Sequence, residues 1–116
     1  VNNCIFCQII AGVAPATIIR RTPDALVIVP KDPVVPGHWL VIPTEHVEDF
    51  TTKPSVSTAT MHLAANVAWN VGPCNLITSK GREAAQSVFH LHLHIVPRAE
   101  NDGLALPWHS GQSRIK

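Results

Sequence analysis

The chain has 116 residues, 46% of them hydrophobic and 15% charged, with a net charge of +1 when histidine is neutral. That length suits one domain with one core, residues 1–116, and that composition folds rather than staying disordered. The near-neutral balance excludes a charge-driven nucleic-acid or membrane binder, and no apolar run approaches the roughly 18 residues of a spanning helix.

The opening Val1-Asn2-Asn3-Cys4 has no basic region and no apolar stretch behind it, so no secretory signal is visible. Three cysteines, two in Cys4-x-x-Cys7 and Cys74 alone, do not form a disulfide scaffold and suit a reducing compartment, which points to the cytoplasm. Residues 4–12 read as a short helix with Ile5, Phe6, Ile9 and Ile10 inward and Gly12 ending it. Thr17–Arg21 and Ala25–Val29 are strand-like runs around the turn Thr22-Pro23-Asp24, hence a hairpin. Three prolines make residues 30–37 a loop. A third strand runs from His38 to Ile42. Helix follows from Pro54 to Asn70, with Val56, Thr60, Leu63, Val67 and Asn70 or Val71 as its buried stripe and Gly72-Pro73 as its stop. Cys74–Ser79 is a fourth strand, residues 80–86 a loop, and Ser87–Pro97 a fifth strand. A Gly-rich, polar tail occupies residues 98–116. This order gives an α+β fold with a five-stranded, mainly antiparallel sheet, one long helix and one short one.

The fifth strand carries the most informative residues, His90, His92 and His94, at every second position. Alternate strand residues share a face, so the three imidazoles project together while Leu91, Leu93 and Ile95 face the core. Neighbours in such a row stand about 6.6 Å apart and the outer two about 13 Å, from a rise of about 3.3 Å per residue. Histidine–zinc bonds are about 2 Å long, so one ion can hold two of the three at most. The row must divide its labour. An imidazole can act as nucleophile, base or acid, and His92, flanked on both sides, is the natural centre; were it to attack phosphorus, His94 could hold phosphate oxygens. The loop Gly81-Arg-Glu-Ala-Ala-Gln86 before Ser87 is small enough for backbone N–H groups to approach a phosphate, and the Ser87 hydroxyl can donate to a leaving atom. Cys4-x-x-Cys7 needs two further ligands for a tetrahedral zinc, with His38, His46, His62, His90 and His109 as candidates. A redox pair or two inert thiols are the rival readings.

His90-Leu-His92-Leu-His94-Ile-Val resembles the His-φ-His-φ-His-φ-φ signature of the histidine-triad (HIT) hydrolases, where φ is apolar. The likeness extends through Cys4-Ile-Phe-Cys-Gln-Ile-Ile, Pro36-Gly-His38-Trp-Leu-Val-Ile-Pro43, Glu45-His46, Gln86-Ser87-Val88 and Asp102-Gly-Leu-Ala-Leu-Pro-Trp108. It is nearest to the bacterial type of the phosphoramidase branch. The resemblance implies a homodimer whose sheets join, and hydrolysis or transfer at the α-phosphate of a purine nucleotide, typically a nucleoside phosphoramidate. It implies His92 as nucleophile, His94 on the α-phosphate, His38 positioning the row, and Ser87 with Gln86 at the phosphate and leaving group. Ile5, Phe6, Ile9, Ile28 and Leu40 match the base pocket. Cys4, Cys7, His46 and His90 match the structural zinc ligands, and no metal is required for the chemistry. Trp108 matches a tail residue that reaches the neighbouring subunit's site.

Three positions depart from the family pattern. Pro30 stands where an acid usually holds the ribose, with Asp32 as the candidate replacement. Ser79 stands where an asparagine or another amide is usual. Ala85 stands where glycine is usual, and its N–H remains available to a phosphate. The alternatives are a dinucleoside polyphosphate hydrolase, a nucleotide sensor without useful turnover, a metalloenzyme using two triad histidines, and an adaptor.

Overall fold

The computed structural model describes residues 3–112. Its five strands form one antiparallel sheet, ordered β1-β2-β3-β5-β4, with β1 Ile18–Arg21, β2 Ala25–Ile28, β3 Trp39–Pro43, β4 Cys74–Ile77 and β5 Leu93–Pro97. A short helix, α1 (Ile5–Ile10), precedes β1, and a long one, α2 (Pro54–Ala68), links β3 to β4. The chain is α+β, as the order of its elements requires.

The sheet is covered on both faces, which explains the burial of β2 at all four positions. Alternation sends Ala25, Val27, Val41, Leu93 and Ile95 to one side, where Leu63 and Ala64 of α2 join them. Leu26, Ile28, Leu40 and Ile42 point to the other side, against Phe6 and Ile9 of α1. Each fully buried Leu or Ile of these clusters contributes roughly 1.5–3 kcal/mol. The expected α2 stripe holds at Thr60 and Leu63, with Val56 and Val67 packed at its margin; Asn70 is exposed, and the unanticipated Ala64 takes the centre. An alanine there lets α2 approach the sheet closely. On α1, Ile5 is 44% exposed rather than buried, because it forms the rim of a cavity described below.

The hairpin forms at the expected turn, where Thr22 Oγ1 accepts from Ala25 N–H at 3.1 Å. The fifth strand is shorter than its pattern suggests. It begins at Leu93, not Ser87, so His90 and His92 precede the ladder. The reason is local. Leu91 N–H donates to Val47 O, outside β3, and the 81–86 segment closes on itself as a turn. The alternation survives without the ladder: Leu91 packs in the α2-side core while the histidines face α1. The tail is also organised. Arg98 forms an ion pair with Asp102 at 2.8 Å and donates to Asn75 Oδ1 and Leu104 O, tying residues 98–104 to β4.

Candidate active site and metal cluster

Each histidine of the row is held by a different hydrogen-bond partner, and that partner fixes which nitrogen carries the proton. His90 Nε2 lies 2.9 Å from the Pro43 carbonyl. A carbonyl only accepts, so Nε2 carries the hydrogen and Nδ1 keeps its lone pair. His92 is reversed: its Nδ1 lies 2.8 Å from the His90 carbonyl and donates to it, which leaves Nε2 unprotonated. At His94 the order runs through a relay. Val34 N–H donates to His38 Nδ1 at 3.1 Å, so His38 carries its hydrogen on Nε2 and donates to His94 Nδ1 at 3.0 Å. His94 Nε2 is then the protonated nitrogen, a hydrogen-bond donor.

Burial keeps these rings neutral. It pushes His90 and His94 down to about 4, with neighbouring imidazoles adding to the effect. It also lowers His38 and, against the pull of its bond to the His90 carbonyl, His92. A neutral His92 with a free Nε2 lone pair is the form that can attack an electrophile. Its ring is braced by the edge of Phe6, 5.2 Å away between centroids, and its carbonyl accepts from Thr78 Oγ1 at 2.8 Å. Thr78 carries no signal in the sequence, since only the fold brings the end of β4 beside His92.

A cavity of about 870 Å³ opens beside His38, His92 and His94. Its walls include Ile5, Phe6, Ile9, Ile28 and Leu40, with Ser87 and Asp32 at the margin. Ten of the residues singled out from the sequence thus share one space. Pro15, Ala16, Pro30, Pro33 and Val88 extend the apolar lining, and Lys31 is its one cationic side chain among the described residues. His38 reaches this wall through a turn in which Gly37 has φ +85°; a Cβ there would lie 3.1 Å from the Pro97 ring, so a side chain is disfavoured twice over.

Four anticipated residues are not on that wall. Trp108 is 76% exposed, in a turn between Leu106 and His109. Ser79 follows β4, outside the lining. Gln86 is buried within its loop. Ala85 corrects the expectation of a free backbone donor: with φ +70° its N–H is turned to Arg82 O at 3.0 Å, and the N–H groups of Ala84 and Gln86 both go to Gly81 O. Those amides close the loop and are spent.

On the far side of His90, the donor atoms of Cys4, Cys7, His46 and His90 lie within 4.8 Å of one another. His90 Nδ1 stands 3.5 Å from Cys4 Sγ, 3.6 Å from Cys7 Sγ and 3.1 Å from His46 Nδ1; Cys7 Sγ and His46 Nδ1 are 3.2 Å apart. A tetrahedron with bonds of about 2.3 Å to sulfur and 2.05 Å to nitrogen has edges of about 3.3–3.8 Å. The residues fit such an ion in chemistry and in spacing. The Nδ1 lone pair that His90 keeps is the one a metal needs, and the Pro43 carbonyl, accepting from Nε2–H, orients the ring. Burial pushes the Cys7 thiol up, a tendency that a bound dication reverses.

Residues 11–101 match the HIT domain family. The chain belongs to that family. HIT proteins are a family of nucleotide-binding hydrolases. The chain is 33% identical over 115 residues to protein hit of Bacillus subtilis, covering 92% of this chain and 79% of that one. Among solved structures, a zinc-bound histidine triad family protein from Mycobacterium smegmatis superposes with a TM-score of 0.79 at 35% identity, covering 90% of this chain and 81% of the other. A histidine triad nucleotide-binding protein from Sulfolobus tokodaii gives a TM-score of 0.74 at 31% identity over 81% of this chain and 68% of the other. In this HIT protein the four-residue cluster and the cavity sit on opposite sides of α1, which supplies Cys4 and Cys7 to the first and Ile5, Phe6 and Ile9 to the second.

Proposed function

We propose that this HIT protein hydrolyses purine nucleoside phosphoramidates, or transfers their nucleotidyl group, through a nucleotidyl–His92 intermediate. The observation that carries this reading is the tautomer of His92. Its Nδ1–H is committed to the His90 carbonyl, so the Nε2 lone pair belongs to the cavity it lines. The base lies in the apolar slot between Phe6, Ile9, Ile28 and Leu40, and the α-phosphate at the histidines. His92 Nε2 attacks phosphorus; an N–P bond forms and the P–N bond to the leaving amine breaks, the amine taking a proton by way of the Ser87 hydroxyl. Water then cleaves the nucleotidyl-histidine, releasing the nucleoside monophosphate and restoring His92. His94 Nε2–H steadies the phosphate oxygens, and a preorganised donor of this kind is typically worth about 3–4 kcal/mol.

Cys4, Cys7, His46 and His90 hold a structural zinc in this reading, and the chemistry runs without it. The exposed edge strand β4, with Leu76 and Ile77 each 39% exposed, suits joining to a second copy as a continuous sheet, with Trp108 reaching toward the neighbouring site. Free Cys4, Cys7 and Cys74 suit a reducing, cytoplasmic setting; no helix among the described residues is long and apolar enough to cross a membrane. Asp32 is the one carboxylate on the cavity wall among the described residues and the candidate partner for a ribose hydroxyl.

The test is turnover of a synthetic adenosine 5′-phosphoramidate. His92→Ala should abolish hydrolysis while adenosine monophosphate still binds. Full activity in that variant overturns the nucleophile; binding without turnover in the unaltered protein points to a nucleotide sensor instead.

A further inference from the structure

Residues 86–92 carry both Ser87 and His92, yet they lie outside the sheet ladder, which starts at Leu93. The segment after β3 holds them instead. Val47 O accepts from Leu91 N–H at 2.8 Å, and Glu48 O accepts from Gln86 Nε2 at 2.7 Å. His46, one residue earlier, packs its ring on His90 with centroids 4.8 Å apart. Three consecutive residues thus grip the histidine-bearing segment at three points.

Gln86 is the hub of that grip. It is 4% exposed. Its Oε1 accepts from Gly81 N–H at 2.8 Å, closing the 81–86 turn across its mouth. Its Nε2 donates to Glu48 O and also to Val88 O at 3.1 Å. A glutamine amide has two N–H donors, and both are consumed within the protein. The turn it closes is strained, because Ala85 sits at φ +70°, in the left-handed region that a residue with a Cβ rarely adopts. Some contact must hold that turn in place, and the Gln86 amide makes three bonds that do so.

We propose that Gln86 is a positioning residue: it fixes Ser87 and Val88 at the cavity wall by tying the 81–86 turn to the Glu48 carbonyl, and it touches no ligand. This rests on the nucleotide reading for its consequence, but not for its geometry. A side chain of this amide type between the turn and Ser87 is legible in the sequence; its inward direction is not.

The experiment compares Gln86→Met, which keeps the length and removes every polar contact, with Gln86→Glu, which keeps the acceptor for Gly81 N–H and loses both donors. Amide hydrogen exchange over residues 81–88 is measured without nucleotide, beside kcat and KM for the phosphoramidate and affinity for adenosine monophosphate. In the free protein, exchange should rise by about tenfold or more in Gln86→Met, as expected when net hydrogen bonds holding a turn are lost. The kcat should fall more than KM rises, and exchange should rise in Gln86→Glu as well, because its buried carboxylate would face the Glu48 and Val88 carbonyl oxygens. Unchanged exchange in the free variant together with weakened nucleotide affinity overturns the proposal in favour of direct contact. A second measurement uses the unaltered protein, so folding of a variant cannot obscure the result. The Gln86 side-chain amide protons should exchange slowly and keep their chemical shifts when adenosine monophosphate is added; large shifts on those protons overturn the proposal. If the nucleotide does not bind at all, the functional reading fails, while the exchange data still decide the tether.

Discussion

The two ends of the histidine row show how one repeated residue type is given opposite chemistry. At His90 the ring is fully buried, hands Nε2–H to a carbonyl and turns Nδ1 toward two thiols and another imidazole. At His94 the ring faces an open cavity, receives a hydrogen bond on Nδ1 and turns a donor outward. Neither difference lies in the imidazole. Each comes from the group on the inner nitrogen: the Pro43 carbonyl at one end, the His38 relay at the other. His92, between them, donates to the carbonyl of His90 and packs its ring against that of His94, with centroids 5.1 Å apart. On the function proposed above, the closed end governs stability and the open end governs rate.

The largest expected effect breaks the closed end. Structural zinc in small domains carries apparent binding free energies of about 10–16 kcal/mol at neutral pH, which is folding free energy where the site forms only on folding. Cys4→Ser or His90→Ala should remove bound metal and lower the unfolding midpoint sharply, by several kcal/mol of stability. His94→Ala should leave metal content and unfolding midpoint nearly unchanged. Elemental analysis and denaturant unfolding of the three variants check this. Equal stability of Cys4→Ser and the unaltered protein, with no metal in either, defeats the closed-end reading.

The same His94→Ala variant probes the open end. Losing one preorganised donor at the phosphate should lower kcat by about 10²–10³-fold. Steady-state kinetics with adenosine 5′-phosphoramidate measure it. A drop confined to KM would mean that His94 serves ground-state binding only. One step further out, His38→Ala removes the partner that sets the His94 tautomer. Removing a partner that orients a functional histidine in this way costs about 10–100-fold. His38→Gln, which can still present an amide N–H, should recover part of the loss, and nitrogen NMR of the His94 ring should show its two tautomers mixing in His38→Ala alone. A ring that keeps its tautomer in His38→Ala removes the relay.

How much of this the sequence disclosed follows from the range of each contact. The spacing of His90, His92 and His94 survives in any extended backbone, so the shared face is legible even though the ladder begins only at Leu93. The strand limits at Ser87 were not legible, because Leu91 N–H bonds to Val47 some 44 positions away, and local β propensity carries no trace of that. The apolar slot was legible through the family resemblance, which matched Ile5, Phe6, Ile9, Ile28 and Leu40 to a base pocket. Lys31, Pro33 and Val88 were missed, because they belong to loops whose path no periodicity sets. Thr78 and Val34 act through fold-made contacts with His92 and His38, and neither residue type advertises that role. Resemblance brought Gln86 and Ala85 to attention, but composition cannot say that their polar groups turn inward.

The smallest effect sharpens the comparison through pH. Burial, helped by His92 and His38, pushes His94 down to about 4, whereas an unfolded-chain histidine titrates near 6.5. Between those values the unfolded chain binds a proton that the folded chain refuses. Stability therefore rises with pH across that window: the His94 contribution is complete above about 6.5 and is lost as pH falls toward 4. A shift of this size is worth at most about 3 kcal/mol, and less for a ring open to solvent on one side. Denaturant unfolding at pH 7, 6, 5 and 4 should show a fall in stability over this window, and His94→Asn should flatten part of it. Metal-dependent loss at the closed end also occurs in acid, but it responds to added zinc, while the His94 part does not. A slope identical in the unaltered protein and in His94→Asn would place the acid sensitivity on the other buried imidazoles, His38, His90 and His92, and on metal loss at the closed end, leaving His94 to act through its shape alone.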